Sequence, residues 1–401
     1  MRCDTHDQFR NRHRPTDAAV GDAGVRDVPR GEAVSEPLSV GMLGYGFMGK
    51  AHANALARLP MFAPDAPAVE RDVLIGRDEA ALAEAADRLG FARTATDWRE
   101  VVAEVDVFYN LGPNHVHPEP SIAALEAGTP VLCEKPMAPT LAGAERMAAA
   151  AADAGVPAAI GFNYRYVPAI QYAKRLIDAG ELGEIRQFRG RYLQDWLVDP
   201  EAPASWRTDA DRAGSGALGD LGAHTIDLAR FLVGDIERVS GQTTTFVDER
   251  PAADGEGTEP VTVDDAYGAQ VRFENGAAGT LEASRAAVGR KNDHTIEIEG
   301  TEGAIRFSLE RLNELELFRP GNRGFETVLV TEADDPYLDQ WWPPGHVLGW
   351  EHTFVHENQA FLSAVADGEP SPPDFADGLA VQRALDAVQR SAETGEEVTV
   401  A

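Results

Sequence analysis

Lysine is nearly absent from this chain: Lys50, Lys135, Lys174 and Lys291 stand against 32 arginines in 401 residues. Cysteine is scarcer still. Cys3 lies in a polar tail and Cys133 in an apolar run, so no disulfide framework is expected and a reducing interior is the default. No apolar run approaches the ~20 residues of a membrane-spanning helix, and the N-terminus lacks the apolar core of a secretory signal. These absences predict a cytoplasmic protein with no membrane partner. Charge of one sign is also short: net charge is −30, with acids spread along the whole chain. Such a field repels nucleic acid and fits a halophilic, acidic surface that stays hydrated at high salt. The length accommodates two domains, each with its own core.

A chain that avoids lysine keeps one mainly where an ammonium does what a guanidinium cannot, shifting its pKa and passing a proton. Lys135 is the candidate. The tripeptide Glu134-Lys135-Pro136 closes the apolar run Pro130-Val131-Leu132-Cys133. The plain alternative is a surface lysine after a strand.

Residues 1–36 alternate Arg, Asp, Gly and Pro without periodicity and read as a disordered extension. Order begins with the strand Leu38–Leu43. Gly44-Tyr45-Gly46-Phe47-Met48-Gly49 and a helical stretch follow. A strand, then G-x-G-x-x-G, then a helix is the context of a dinucleotide turn. The first two glycines give a tight turn and close approach to a pyrophosphate, and the third lets the helix pack on the strand. The same residues nearly spell a triphosphate loop, but Ala51 stands where the magnesium-binding Ser or Thr would be. After the second strand (Asp72–Ile75), Gly76-Arg77-Asp78 replaces the acid that usually holds an NAD ribose, which leans the cofactor toward NADP over NAD.

Alternating strands and helices continue to about Gly161 and place Asn114, Lys135 and Asn163 at carboxyl ends of strands, where open parallel sheets bind ligands. The expected architecture is α/β plus α+β: a Rossmann dinucleotide-binding domain over 37–161, then a domain over 162–401 with a mostly antiparallel open sheet. Asn275-Gly276 marks a hairpin in that sheet, Asp248–Glu259 reads as a polar loop, and two helices end the chain.

In the second domain, Gly219-Asp220-Leu221-Gly222-Ala223-His224 opens a helix that continues through Asp227. Asp220 and His224 are four apart and Asp227 three beyond, so a histidine shares its helical face with carboxylates that can orient it as a general acid or base. Helix capping and metal ligation are the alternatives. No second cluster of ligand spacing appears, so no metal is expected.

The glycine turn, Cys133-Glu134-Lys135-Pro136, Gly161-Phe162-Asn163-Tyr164-Arg165 and the Asp220/His224/Asp227 segment occur in that order. Together they resemble the glucose–fructose oxidoreductase / inositol dehydrogenase / MocA family over residues 38 to about 392. Tyr192-Leu193-Gln194-Asp195-Trp196, Trp206-Arg207 and Gly289-Arg290-Lys291-Asn292 are similar to its branch that includes levoglucosan dehydrogenase.

The resemblance implies an NAD(P)-dependent oxidoreductase acting on a CH–OH group of a cyclic polyol or sugar (an inositol, hexose or anhydrosugar). In it Lys135 assists proton transfer, Asp220 binds substrate and His224 is the base. The expected cofactor contacts are Gly44, Gly46, Phe47, Met48, Gly49, Arg77, Pro113, Asn114, His117, Glu134 and Lys135. Asn163, Tyr192, Asp195, Trp196, Trp206 and Asn292 are the expected substrate contacts, the aromatics offering flat faces to a sugar ring. Gly112-Pro113-Asn114 departs from the family's usual Thr-Pro-Asn. The resemblance also implies a homo-oligomer, dimer or tetramer, through the sheet-rich face. The rival readings are a redox-assisted glycosidase with tightly held NAD, and a non-catalytic dinucleotide/sugar sensor.

Overall fold

The computed structural model describes residues 36–400, so nearly all of the segment read as an N-terminal extension lies outside the described residues. The first sheet is built by β1 (Leu38–Leu43), α1 (Phe47–Phe62), β2 (Val69–Ile75), α2 (Glu79–Leu89), β3 (Arg93–Ala95), β4 (Val107–Asn110), α3 (Pro118–Glu126), β5 (Val131–Glu134), α4 (Leu141–Ala154) and β6 (Ala158–Gly161). Its strands run parallel in the order β3-β2-β1-β4-β5-β6. Strands β4, β5 and β6 are buried along their whole length, as a parallel sheet covered on both faces requires. Local signals set the helix ends. The side chains of Asp78 and Thr140 cap α2 and α4, and Gly90 and Gly155 stop them in left-handed conformation. Helix α1 starts directly after Gly46, earlier than the apolar pattern suggests, and runs through Pro60.

The second sheet follows α5 (Pro168–Asp178). It uses β7 (Ile185–Leu193), then, after α6 (Ala210–Ala213) and α7 (Ala223–Leu232), β8 (Ile236–Thr244). The pair β9 (Glu249–Pro251) and β10 (Thr258–Pro260) forms a separate ribbon. The sheet continues with β11 (Ala266–Phe273), β12 (Ala278–Ser284), β13 (Asp293–Gly300), β14 (Ala304–Ser308), β15 (Glu314–Phe318) and β16 (Glu326–Leu329). Helices α8 (Trp350–Asp367) and α9 (Phe375–Thr394) precede the closing strand β17 (Val398–Thr399). The strand order is β16-β15-β14-β13-β7-β12-β11-β8-β17, antiparallel except for β12 beside β7. The hairpin at Asn275-Gly276 forms as its sequence dictates, with Gly276 at φ +88°. One face of the sheet packs on α5, α7 and α9, and the other exposes Arg189, Arg191, Gln270 and Glu282.

The stretch Asp248–Glu259 is not the plain loop its polarity predicts. Arg250 is fully buried and donates to the carbonyls of Leu197 and Asp199 at 2.9 and 2.8 Å, which pins the ribbon beneath the 197–202 segment.

The last helices tie the two sheets together: α8 lies along α1, and α9 touches α4 and β6 on one side and β8 on the other. At their meeting point Arg165, after β6, forks onto Asp227 of α7 with contacts of 2.6–3.0 Å and reaches Asp377 of α9 at 3.2 Å. Both Arg165 and Asp227 are out of solvent, so deleting one strands the other's charge. Arg165→Leu is expected to cost about 3–5 kcal/mol of stability, read as a lowered thermal midpoint. An unchanged midpoint would show that this junction carries no such weight.

Candidate active site

The glycine turn has the shape a pyrophosphate needs. Gly44 sits at φ +104°, and a Cβ there would lie 2.6 Å from the carbonyl oxygen of Leu111, so only glycine fits. A Cβ on Gly46 would meet nothing within 4 Å, leaving its backbone bare toward the cleft. Gly49 packs on the Gly44 carbonyl and seats α1 on β1. The first turn of α1 has no side-chain cap and no acid, so its free N–H groups and dipole face the cleft unneutralised. These residues fit a dinucleotide diphosphate.

A cleft of about 740 Å³ opens there. It is walled by Gly44, Gly46, Phe47, Met48, Pro113, Asn114, Glu134, Lys135 and Asn163 on the side of the first sheet. Tyr192, Trp196, Trp206, Asp220, His224 and Asn292 face them from the second. The sequence expectation thus converges on one cavity, apart from Gly49, which packs beneath the turn, and three further residues. His117 is buried behind the wall, its ring nitrogens 2.9 and 3.0 Å from the carbonyls of Pro136 and Gly112; it braces the turn against the Lys135 segment instead of reaching a cofactor. Asp195 is turned away to Lys291 at 2.6 Å, and Lys291 lines the cleft in its stead. Arg77 stands outside the cleft wall, just past β2.

Lys135 follows directly on β5, beside a cis Pro136. Its Nζ donates to the backbone oxygen of Asp220 at 2.6 Å and lies 3.3 Å from Asp220 Oδ1. Behind it, Glu134 is locked by a relay the sequence did not reveal. Asn358 Nδ2 donates to His52 Nδ1 at 3.0 Å, which leaves the His52 Nε2–H to donate to Glu134 Oε1 at 3.1 Å. The other Glu134 oxygen accepts the Lys135 N–H at 3.2 Å. Burial pushes the Asp220 carboxyl up, but Lys135, Arg285 and Arg207 together overcome it and hold the group below its ordinary range.

His224 does not share carboxylates as helical spacing predicts. Leu218–Gly222 forms a π-helical turn, a widened geometry common at functional sites, and the Asp220 side chain goes to Lys135. Asp227 is committed to Arg165. His224 therefore has no carboxylate partner, and its Nδ1 is buried without a hydrogen bond among the described residues. Burial first, then Lys135 and His294, depress its pKa well below 6.5.

The floor beside it is aromatic. The Tyr164 ring leans on His224 at 4.4 Å between centroids, and Tyr192 stacks on His294 at 4.5 Å. A hydrogen-bond chain runs from Trp350 Nε1 through Tyr164 and Tyr192 to Asn292 Oδ1, which also accepts from Gln194. Tyr192 and Asn292 thus spend much of their polarity on each other. Tyr164 and Trp350 were not foreseen. Trp350 stacks on the exposed Phe47 at 5.4 Å, although about 300 residues separate them. Trp196 is 42% exposed at the mouth. The buried Arg285 guanidinium lies 5.6 Å from the centre of its ring and donates to the Arg207 carbonyl at 3.1 Å, fixing the wall that carries both tryptophans.

Residues 38–162 match the oxidoreductase family with NAD-binding Rossmann fold, and residues 170–306 match the GFO/IDH/MocA C-terminal domain. The chain is 44% identical over 375 residues to levoglucosan dehydrogenase of Pseudarthrobacter phenanthrenivorans, covering 88% of this chain and 96% of that one. It is 27% identical to D-xylose 1-dehydrogenase (NADP(+)) 2 of Haloferax volcanii, over 88% of this chain and 98% of that one. A solved structure of levoglucosan dehydrogenase with NADH and levoglucosan superimposes with a TM-score of 0.88 at 43% identity, covering 91% of this chain and 100% of that one. With both halves matched and one relative this similar, the chain belongs to the GFO/IDH/MocA family of NAD-dependent sugar and polyol oxidoreductases.

Proposed function

We propose that the protein oxidises a secondary alcohol of a sugar, with an anhydrosugar such as levoglucosan as the leading substrate. The observation that carries this reading is the meeting of Lys135, Asp220 and His224 in one cleft beside the glycine turn. The turn and the α1 N-terminus would hold the diphosphate, and hydride acceptance is the chemistry a dinucleotide supplies when bound. The protein's share is the proton. His224, neutral because it is buried next to an ammonium, takes the hydroxyl proton on its cleft-facing nitrogen. Lys135, anchored on Asp220, turns its remaining N–H toward the same oxygen and stabilises negative charge as it develops. Asp220 accepts from a neighbouring hydroxyl. Trp196 and Trp206 offer apolar faces to the ring.

The reading extends to a homo-oligomer on the open face of the nine-stranded sheet, where a second concavity of about 1070 Å³ lies away from the cleft. It extends also to a cytoplasmic setting and to an acidic surface suited to high salt.

Incubation with NAD and a panel of inositols, hexoses and anhydrosugars tests the activity. Net formation of reduced nicotinamide is expected, greatest with the anhydrosugar. Aglycone release with no net change in the cofactor would make the protein a redox-assisted glycosidase instead. Lys135→Ala and His224→Ala should each lower kcat about a hundredfold or more while the affinity for NAD, measured by calorimetry, stays nearly constant; collapse of NAD binding would refute the assigned roles. Because His224 resists protonation, the acid limb of kcat/KM for oxidation should fall well below pH 6.5. A limb at or above the ordinary imidazole range would show that another group is the base.

A further inference from the structure

We propose that Trp350 and Tyr164 are positioning residues that fix the direction of a hydrogen-bond chain, so that Asn292 presents its amide N–H groups to the cleft and selects an ether oxygen of the substrate. This rests on the sugar-oxidising reading of the cleft.

The direction follows from what each group can give. The Trp350 indole can only donate, and its Nε1–H goes to the Tyr164 hydroxyl at 3.4 Å. Tyr164 must therefore send its own hydrogen elsewhere, and the Tyr192 hydroxyl at 2.8 Å is its remaining partner among the described residues. Tyr192 in turn passes its hydrogen to Asn292 Oδ1 at 2.6 Å. Gln194 Nε2, 3.4 Å from the same hydroxyl, donates to the same Oδ1 at 2.8 Å. Two donors meeting one amide atom require that atom to be the oxygen. Asn292 Nδ2 is left with no hydrogen-bond partner among the described residues.

Packing holds the chain in this sense. Tyr164 and Tyr192 are buried. The Tyr164 ring lies on His224, and Tyr192 stacks on His294, whose Nε2 is 3.1 Å from Thr225 Oγ1. Trp350 packs on Phe47 and Phe354, with centroids at 5.4 and 4.6 Å. The Asn292 backbone donates to Glu310 and accepts from the His294 N–H, both at 2.9 Å.

All members of the chain line the cleft that holds Lys135 and His224. The Tyr192 hydroxyl is spent within the chain, so Tyr192 offers a substrate its ring alone. Asp220 and neutral His224 are acceptors and suit hydroxyl groups. An ether oxygen carries no hydrogen and can be met only by a donor. Lys135 is taken up by Asp220 and the reacting oxygen, which leaves Asn292 Nδ2 for that task. An anhydrosugar brings ether oxygens in its ring and its bridge, whereas an inositol brings none.

Steady-state kinetics of the full chain with NAD and the anhydrosugar test the donor. Asn292→Asp keeps the acceptor that Tyr192 and Gln194 use and replaces the donor by a second acceptor. KM is expected to rise on the order of tenfold or more, with kcat and the thermal midpoint changing much less. Gln194→Glu leaves Asn292 in place but sets an acceptor against its oxygen, which favours the turned amide, and the same rise in KM is expected. Trp350→Phe keeps the packing on Phe47, removes the indole N–H and should raise KM by a smaller factor. An effect of Trp350→Phe on the thermal midpoint with KM unchanged would make Trp350 merely structural and overturn its positioning role. An unchanged or lowered KM in Asn292→Asp would show that Asn292 turns its oxygen to a substrate hydroxyl, and would overturn the proposal. So would a wild-type protein that prefers an inositol to the anhydrosugar, although oxidation of a polyol in this cleft would stand. Failure to oxidise any sugar or polyol would remove the function and this site together.

Discussion

The structure depends on an ammonium and a carboxylate brought together between two sheets. Lys135 reaches Asp220 from the end of β5, and Asp220 is carried by a π turn more than eighty residues later in the chain. Bringing such groups out of water is unfavourable unless their charges meet and their donors are satisfied. The surroundings meet that demand. Glu134, held by His52 and Asn358, fixes the backbone that carries Lys135. The Asp220 backbone oxygen takes the shorter of the two lysine contacts, so the pair's register does not depend on the carboxylate alone. Helices α1 and α8 must lie side by side for the relay behind Glu134 to exist, which makes the C-terminal helices part of the site's foundation.

The charge economy of the chain gives the cleft its character. A strongly acidic protein gathers Lys135, Arg207 and the buried Arg285 around one carboxylate, and the local field there opposes the field of the surface. Two arginines with no exposed surface to speak of, Arg250 and Arg285, serve mainly as clamps on backbone carbonyls. Guanidinium suits that task because its donors are fixed in a plane and its charge does not leave on burial. Lysine is a compact point charge, and Lys135 places it against Asp220 in the cleft. Of the other three lysines, Lys174 and Lys291 pair with Asp178 and Asp195, and Lys50 stays in the exposed first turn of α1.

Local chemistry made much of this legible. The run Leu38–Leu43 followed by three spaced glycines can hardly be other than a strand entering a tight turn. Asp78, Thr140, Gly90 and Gly155 announce helix ends by mechanism, and Asn275-Gly276 announces a hairpin. The same reasoning failed where a side chain's partner is distant. Asp227 looks like an orienter of His224 when only its own helix is considered, but Arg165 claims it from the end of β6. Asp248–Glu259 looks like solvent-exposed loop because its residues are charged, small or turn-forming, and nothing local says that Arg250 is drawn inward by three carbonyls. Trp350 lies in no motif, and Tyr164 stands in the Gly161–Arg165 run with nothing local to give it a place beside His224.

The sequence by itself determined the strand–turn–helix of the dinucleotide end, the alternation that makes a parallel sheet, the antiparallel pattern after it, and the singular position of Lys135. These depend on periodicity, on backbone freedom and on turn chemistry, which act over a few residues. Only the tertiary structure decided which carboxylate meets which cation, that His224 stands without an acid, and that His117 and Asp195 turn away from the cleft. Those outcomes depend on electrostatic and hydrogen-bond choices among groups far apart in sequence. Each group has several chemically equivalent partners, and folding brings only one within reach.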